Sequence, residues 1–291
     1  MQKKNLLNDF FAPPSPRNSF DPYTFESQLK LVHPSWEKVI NEWYFGGCGQ
    51  ELNHLLIRQK ITAIGKHSCV ILPDQPLKAF HSLGLEQVNV VIVGDEPSHV
   101  GNIADGLAFS SGLPARYSEV TRAIQAELAN DLGVVDHGMS DLSFWTESGV
   151  LLLNCALTVK HETPKSHTDI GWEQLTDGII ELIANDPTPK AFLLWGKISQ
   201  TKSALIEKSA PHHLILKSDA PSSNPSKNPF ANSKPFSKTN AFLKQHNKTI
   251  NWIRSNPATT LLAAHHEEQM KSLRERWQQA NANQAHQNGW S

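Results

Sequence analysis

Four short apolar runs lie in the middle of the chain, and each of them stops at a polar residue or at glycine. They are NVVIV (89–93), VLLLN (150–154), AFLLW (191–195) and HLIL (213–216). Their apolar positions are continuous rather than alternating, which is typical of strands buried on both faces of a parallel sheet. The pattern therefore predicts a central four-stranded parallel sheet.

Helix-like stretches separate these runs and also precede them. The spacing predicts helices near 118–131, 170–185, 198–209 and 236–246, with more helix at SWEKVINEW and QELNHLLIRQ. Strands that alternate with helices indicate the α/β class, here a single domain whose helices flank the sheet.

The two ends of the chain lack this regular pattern. Residues 1–34 contain prolines, serines and scattered aromatic residues without periodicity, which predicts a flexible N-terminal tail before a domain at 35–254. In 255–291, Pro257 can begin a helix with a partial apolar stripe, so we expect a helix lying on the domain and a disordered end. A partner-binding helix is the alternative for this segment.

Composition narrows the class of protein. The chain has 291 residues, 39% of them hydrophobic, a mean hydropathy of −0.39 and no apolar run long enough to cross a bilayer. Its N-terminus MQKKNLLNDFF lacks the features of a signal peptide, and its three cysteines form no CxxC pair. We expect an intracellular protein without a disulfide framework and without a zinc site built from cysteines.

Charge is nearly balanced over the chain, at −1, but not along it. Between residues 190 and 254 the only acids are Glu207 and Asp219, whereas this region is rich in basic residues. These are Lys190, Lys197, Lys202, Lys208, Lys217, Lys227, Lys234, Lys238, Lys244, Lys248 and Arg254. Two interpretations stay open, a surface that tracks phosphates and an ordinary solvated lysine surface.

Polar residues follow each predicted strand. The first strand leads into Asp95, Glu96, Ser98 and His99, and the second ends at Asn154. The later strands lead into Lys197 and into the serine-rich 218–223. Because ligands bind beyond the carboxyl ends of parallel strands, we expect these side chains to border one cleft, with Phe109 of GLAFS within reach of it.

These residues carry a family resemblance. GDEPSH (94–99) resembles the GQDPYH motif of family 1 uracil-DNA glycosylases, and GLAFS (106–110) resembles their GLCFS. Four further segments match in the same order: DLSFWTESGVLLLNCALTV (141–159), SHTDIGWEQLTD (166–177), LLWG (193–196) and FSKTN (236–240). The resemblance runs from about Trp36 to Trp252 and implies a uracil-DNA glycosylase fold with base excision from DNA. It also implies an intracellular monomer in a compartment that contains DNA, without a cofactor or a metal.

The resemblance implies roles for three residues that bind the base. Phe109 matches the aromatic residue that stacks on the flipped base, a contact worth about 1–3 kcal/mol. Asn154 matches the amide that pairs with the uracil edge, since its donor and acceptor sit side by side. His99 matches a histidine that supports the pocket.

The first motif also departs from the family. Glu96 replaces the aspartate that holds the attacking water, and Asp95 replaces a glutamine in a position where other branches of the superfamily carry the glutamate of GEAPG. Either acid could be the catalytic one. Ser98 replaces the tyrosine that excludes the C5 methyl group of thymine, so a 5-substituted uracil or thymine-type base could enter.

The last motif departs further. APSSNPS (220–226) stands where the family has HPSPLS, so Ala220 replaces the histidine that stabilises the departing anion and Asn224 replaces the leucine that wedges into the duplex. A shift of one residue in the alignment would instead place Asp219 at the histidine position. Phosphate contacts are still expected from Lys197, Ser222, Ser223 and Lys227.

The N-terminal tail carries one more candidate motif. Leu7, Phe10 and Phe11 have the spacing of a peptide that binds a sliding clamp, although Lys4 stands where glutamine is usual. Incidental aromatic residues in a disordered tail are the alternative.

Two functions remain open at this point. The first is a DNA glycosylase with weak or altered activity in base excision repair, which flips and excises uracil or a 5-substituted uracil. The second is an inactive DNA-binding or damage-sensing relative, favoured by the changes at Glu96, Ser98, Ala220 and Asn224. A nucleotide or metal hydrolase is disfavoured, since GxxxxGK[ST], GxSxG and HExxH are absent and His161 and His167 lack a ligand spacing.

Overall fold

The computed structural model describes most of the chain between residues 19 and 254. The described residues are 19–62, 69–100, 103–113, 118–134, 136, 139–209, 212–222 and 230–254. The chain divides into one compact unit, Met1–Trp252, and a second, Ile253–Ser291. The helix expected within 255–291 and the clamp-binding motif at Leu7, Phe10 and Phe11 lie outside the described residues.

A four-stranded parallel sheet forms the centre of the first unit, as the apolar runs predict. The strands are β1 (Ile71–Leu72), β2 (Val90–Gly94), β3 (Val150–Asn154), β4 (Val159–Lys160), β5 (Ala191–Trp195) and β6 (Leu214–Ser218). The central sheet has the order β3-β2-β5-β6, and every residue of β2, β3 and β5 is buried. The short strands β1 and β4 pair antiparallel beside it, which the sequence pattern did not predict.

Helices flank this sheet close to where the periodicity places them. They are α1 (Phe25–Leu29), α2 (Pro34–Phe45), α3 (Cys48–Thr62), α4 (Glu119–Leu132), α5 (Ser143–Glu147), α6 (Trp172–Ala184), α7 (Lys197–Thr201), α8 (Ser203–Ser209) and α9 (Pro235–Lys244). The stretch predicted as one helix over 198–209 forms two, α7 and α8. Within the described ranges, no helix combines the length and hydrophobicity needed to span a bilayer.

The expected flexible tail over 1–34 is wrong for its second half. Phe20 and Phe25 are buried in the core, and the Phe20 N–H donates to the Ile71 carbonyl at 2.8 Å. The Phe25 ring stacks on Tyr44 with centroids 5.0 Å apart. The segment lacks a long periodic pattern because it packs through a few large aromatic residues, each of which buries a large apolar area.

Two acids on α4 fix the C-terminal part of the domain. The Glu127 carboxylate accepts hydrogen bonds from the Asn232 and Lys234 N–H groups at 2.7 and 2.8 Å. Asp131, one turn later, accepts from the N–H groups of Phe236 and Ser237, both at 2.9 Å, and so caps the first turn of α9. These acids therefore tie the FSKTN segment to a helix about a hundred residues earlier.

A buried polar network surrounds His167 at the start of the SHTDIGWEQLTD segment. His167 Nε2 lies 2.9 Å from Gln59 Oε1, an acceptor, so the Nε2–H group donates. Nδ1 lies 2.9 Å from the Thr158 hydroxyl, which itself accepts from Trp172 Nε1 at 2.7 Å. Burial disfavours the charged imidazole and lowers the pKa of His167 to about 4.

This network predicts a loss of stability in acid. The unfolded histidine titrates near 6.5, so the unfolded chain takes up a proton first as the pH falls. The contribution of neutral His167 is complete above that value and is lost as the pH falls toward 4. We expect the free energy of unfolding to drop by about 2.5 kcal/mol through this residue by about pH 4.5, measured by urea denaturation.

A matched pair of variants separates His167 from other titrating groups. His167→Asn should be less stable than the parent near neutral pH but should lose less stability on acidification. His54→Asn, a change at an exposed histidine, should keep the parent's pH dependence. Equal slopes for the parent and His167→Asn would contradict the assignment.

Candidate base-binding and hydrolytic site

The site lies at the carboxyl edge of the central sheet. β2 and β3 run in register, so that Gly94 pairs with Asn154 at the ends of the two strands. After β2 the chain adds β3 on one side of it and then β5 on the other side, which gives the strand order β3-β2-β5-β6. The position between β2 and β5 is therefore the topological switch point, beside which ligands bind in open parallel sheets. The topology therefore brings the residues after these strands together, as the sequence predicts.

Gly94 packs against the side chains of two candidate residues, Asn154 and Phe109. A Cβ atom built on Gly94 would lie 2.5 Å from Asn154 Oδ1 and 2.9 Å from Phe109 Cζ. Both side chains therefore touch the backbone at this point, and any residue larger than glycine would displace them. This contact places the predicted amide and the predicted aromatic ring at one location.

Asn154 is a buried residue, but its amide group does not help to hold the fold together. Within the described part of the chain it makes no side-chain hydrogen bond, although only 5% of the residue is exposed. Neither amide atom is among the fully buried polar atoms that lack a partner, so the amide keeps access to solvent. An amide left open at the floor of a cleft is suited to pairing with a polar ligand edge.

Phe109 adopts a backbone conformation that phenylalanine disfavours. Its φ is 64°, in the left-handed region, which costs roughly 1–3 kcal/mol for a bulky residue and is typical of functional sites. The preceding Ala108 N–H donates to the Leu152 carbonyl of β3 at 3.2 Å. The half-buried ring lies 5.3 Å from the Trp195 ring, centroid to centroid, and so bridges the ends of β2 and β5.

Glu96 points toward the loop between β4 and α6. Its two carboxylate oxygens lie 2.8 and 3.0 Å from the Lys165 N–H group, which donates to them. Lys165 has a φ of 59°, so this turn also holds a non-glycine residue in the left-handed region. Partial burial raises the pKa of Glu96, while the Lys165 N–H and nearby His99 act in the opposite direction.

Asp95 points the other way, toward β5. Its Oδ1 accepts a hydrogen bond from the Ser199 N–H at 2.8 Å, and its carboxylate packs so closely on Gly196 that a Cβ there would overlap it. Asp95 thus links the end of β2 to the first turn of α7. The two neighbouring acids have different surroundings, and Asp95 is engaged in holding the strand ends together.

Ser98 and His99 lie in the turn that follows these acids. Ser98 Oγ accepts from the Val100 N–H at 3.4 Å, and the His99 carbonyl accepts from the Glu162 N–H at 2.8 Å. His99 Nδ1 is buried and has no hydrogen-bond partner among the described residues. The motif turn is therefore tied at His99 and at Glu96 to the same loop, residues 162–165.

Only some of the residues that are expected to contact phosphates belong to the described part of the chain. Lys197 and Ser222 are exposed, as is Ala220 just beyond β6. Ser223, Asn224 and Lys227 lie outside the described residues. Ala220 places a methyl group, which cannot donate a hydrogen bond, after the end of the strand next to β5.

Two of the basic residues between 190 and 254 do not belong to an exposed surface. Lys190 is 1% exposed, donates to the Val88 carbonyl at 2.7 Å and pairs with Asp186 at 3.2 Å. Lys202 pairs with Asp177 at 2.6 Å and is also buried. The basic composition of this region thus overstates the charge available to a polyanion.

Sequence reasoning missed three groups that shape the site. The Lys165 N–H is a backbone group, which no side-chain motif reveals. Asp105 and Lys78, which hold the Phe109 loop, form an ion pair at 3.1 Å across 27 positions of the chain. The Asp105-Gly106 dipeptide was the available signal, since this pair of residues marks a turn.

The chain is similar to curated proteins over most of its length, although no protein-family model matches it. It is 34% identical over 241 residues to the uracil-DNA glycosylase of Bordetella avium, covering 81% of this chain and 92% of that one. It is 41% identical over 225 residues to the uracil-DNA glycosylase of Bacillus pumilus, covering 76% and 96%. The Streptococcus pneumoniae uracil-DNA glycosylase is 38% identical over 232 residues, covering 77% and 100%.

Solved structures show the same fold. The crystal structure of mimivirus uracil-DNA glycosylase superposes with a TM-score of 0.63 at 21% identity, covering 86% of this chain and 99% of that one. The structure of the Nitratifractor salsuginis enzyme gives a TM-score of 0.51 at 17% identity, covering 81% and 99%. The predicted α/β architecture is confirmed by both the topology and these neighbours.

Proposed function

This chain belongs to the uracil-DNA glycosylase family, and from that premise we propose that it excises uracil from DNA by hydrolysing the N-glycosidic bond, as the first step of base excision repair. The observation that carries the proposal is that the Asn154 and Phe109 side chains both lie against Gly94. An unpaired buried amide beside an aromatic ring fits a flat base with a polar edge. DNA is the macromolecular partner, which implies a compartment that contains DNA.

Base recognition is assigned to these two side chains. The base leaves the stack and lies against the Phe109 ring, and the Asn154 amide donates to and accepts from its edge. Base–aromatic stacking contributes about 1–3 kcal/mol and does not select among bases, so selection falls to the amide. His99 supports the turn that carries the carboxylate.

Hydrolysis is assigned to Glu96. Water attacks C1′ as the bond to the base nitrogen breaks, the bonding electron pair leaves with the uracil anion, and the carboxylate accepts the proton from the water. The same negative charge stabilises the oxocarbenium-like sugar. A raised pKa makes Glu96 a stronger base near neutral pH than an exposed carboxylate. Asp95, engaged with Ser199, positions the strand end.

Ser98 widens the substrate range in this proposal. A serine lacks the bulk to block a substituent at C5, so the site would accept 5-substituted uracils or thymine-type bases alongside uracil. Lys197 and Ser222 contact phosphates, with Ser223 and Lys227 in the neighbouring segment. Ala220 and Asn224 lack the functions of the family residues that they replace, so we expect weak activity from a monomeric enzyme.

An abasic-site assay tests the function directly. The full chain is incubated with single- and double-stranded oligonucleotides that carry uracil, a 5-substituted uracil or no modified base, and alkali then cleaves at abasic sites. We expect cleavage at uracil that falls by about 10- to 1,000-fold in Asn154→Ala, since a polar edge would lose its paired amide. Asn53→Ala, which changes a buried amide in α3, is the control for folding.

A second function is favoured by one observation, the exposed methyl group of Ala220 where the family histidine stands. In that case the chain binds DNA and senses damage without turnover. Binding that weakens with added salt, together with no abasic product from any substrate, would support the sensor over the enzyme.

A further inference from the structure

The loop that carries Phe109 is held by one carboxylate. Asp105 Oδ1 accepts from the Leu107 N–H at 3.1 Å, and Asp105 Oδ2 accepts from the Ser110 hydroxyl at 2.7 Å. The Lys78 ammonium donates to the same Oδ2 at 3.1 Å. Asp105 thus binds the chain on both sides of Phe109, at Leu107 two residues before it and at Ser110 one residue after it.

Two neighbouring contacts join the Phe109 loop to other parts of the domain. Ser110 Oγ accepts from the Leu142 N–H at 3.0 Å, which joins the loop to the segment before α5. Gly106, with a φ of 97°, lies against the Gln75 carbonyl and the Lys78 side chain, where a Cβ would overlap the carbonyl oxygen. The loop is therefore wedged against the turn that carries Lys78.

We propose that Asp105, paired with Lys78, is a positioning residue that holds Phe109 in its left-handed conformation and so presents the ring to the base. The inference rests on the proposed function for the role of the ring. A phenylalanine at φ 64° relaxes toward negative φ unless the chain on both sides of it is fixed, and Asp105 fixes it at Leu107 and at Ser110. Only 12% of the Asp105 side chain is exposed, so Lys78 is the cation that compensates its charge.

The chemistry requires a carboxylate in this place. Asp105 accepts three hydrogen bonds with two oxygens, and it donates none. An asparagine would keep one oxygen and turn an NH2 group toward the Lys78 ammonium or the Ser110 hydroxyl. Asp105→Asn therefore releases one side of the loop while keeping the size of the side chain.

A double-mutant cycle tests whether Asp105 acts through the ring. We expect Asp105→Asn to lower kcat/KM for a single-stranded uracil oligonucleotide by about 10-fold, and Phe109→Ala to lower it by about 10- to 100-fold. In the Phe109→Ala background, Asp105→Asn should change it by less than about 2-fold. The same 10-fold loss in both backgrounds would overturn the proposal.

A spectroscopic measurement tests the positioning without any need for activity. With 4-fluorophenylalanine at position 109, we expect a single narrow ¹⁹F resonance in the parent, and a split or broadened resonance in Asp105→Asn. Ser111→Ala removes the hydroxyl bonded to the Leu113 carbonyl in the same loop and should leave the resonance narrow. A narrow, unshifted line in Asp105→Asn would overturn the proposal.

The two measurements also separate this inference from the proposed function. If the parent releases no base, the proposed function fails, while the ¹⁹F spectrum still decides whether Asp105 holds the ring. Lys78→Met removes the cation and leaves the carboxylate, and it should broaden the resonance in the same way. Lys78→Met is measured instead of Asp105→Asn if Asp105→Asn does not fold. An unchanged resonance in Lys78→Met would overturn the role of the Asp105–Lys78 pair.

Discussion

Glutamine in place of Glu96 is expected to lower the rate of uracil release by about 100- to 10,000-fold, the usual contribution of a positioned general base. The glutamine side chain would have nearly the same shape, and its amide oxygen can still accept from the Lys165 N–H that holds Glu96. The loss would therefore report the missing charge rather than a disrupted loop. Single-turnover release of uracil, followed by alkaline cleavage, measures it.

The pH dependence provides the matching test. A carboxylate acts as a base only when ionised, so the parent's rate should fall as the pH drops through the raised pKa of Glu96. The residual rate of the glutamine variant should lack this decline. Glu162→Gln, at an exposed acid of the neighbouring loop, should behave as the parent. A parent-like rate in Glu96→Gln would remove this residue from the mechanism.

Histidine in place of Ala220 is expected to raise the rate of base release by about 100- to 1,000-fold. This range is the effect of one positioned donor on a developing oxyanion, here the uracil anion that leaves as the glycosidic bond breaks. Ala220 is exposed, so the fold has room for an imidazole at this place. The gain should appear in the single-turnover rate constant, since the donor acts on the leaving group in the transition state.

The neighbouring residue provides the control for this gain. An alignment shifted by one residue places Asp219 at the family's histidine position, so Asp219→His tests the other register. A gain in Ala220→His alone would fix the alignment counted back from FSKTN. If neither histidine raises the rate while both variants fold, leaving-group stabilisation in this chain does not depend on this strand end.

Much of the fold followed from local patterns. The strand runs at 90–94, 150–154 and 191–195 are continuous and apolar because they are buried on both faces, and such runs are recognisable without coordinates. The residues after Phe20 were misassigned to the tail because they join the core through isolated aromatic contacts. Isolated aromatic contacts do not produce a regular spacing of apolar residues, so no periodic pattern in the sequence reveals them.

The site was predictable to the extent that topology alone decides it. Parallel strands bring their carboxyl ends to one edge, so Asn154 and the GDEPSH turn had to be close neighbours. The direction in which each of the two adjacent acids points was not predictable. Ser199 and Gly196 draw Asp95 toward β5, while the Lys165 N–H draws Glu96 toward the other side.

The amino-acid sequence by itself determined the class of fold, the order of its elements and the edge of the sheet at which chemistry-bearing residues collect, because these follow from hydrophobic periodicity and short motifs. Only the tertiary structure decided the direction of each side chain. The packing of Phe109 and Asn154 against Gly94, and the attachment of the Phe109 loop by Asp105 and Lys78, depend on hydrogen bonds and close packing between residues far apart in the chain. Such contacts are set by three-dimensional distance, which no local pattern contains.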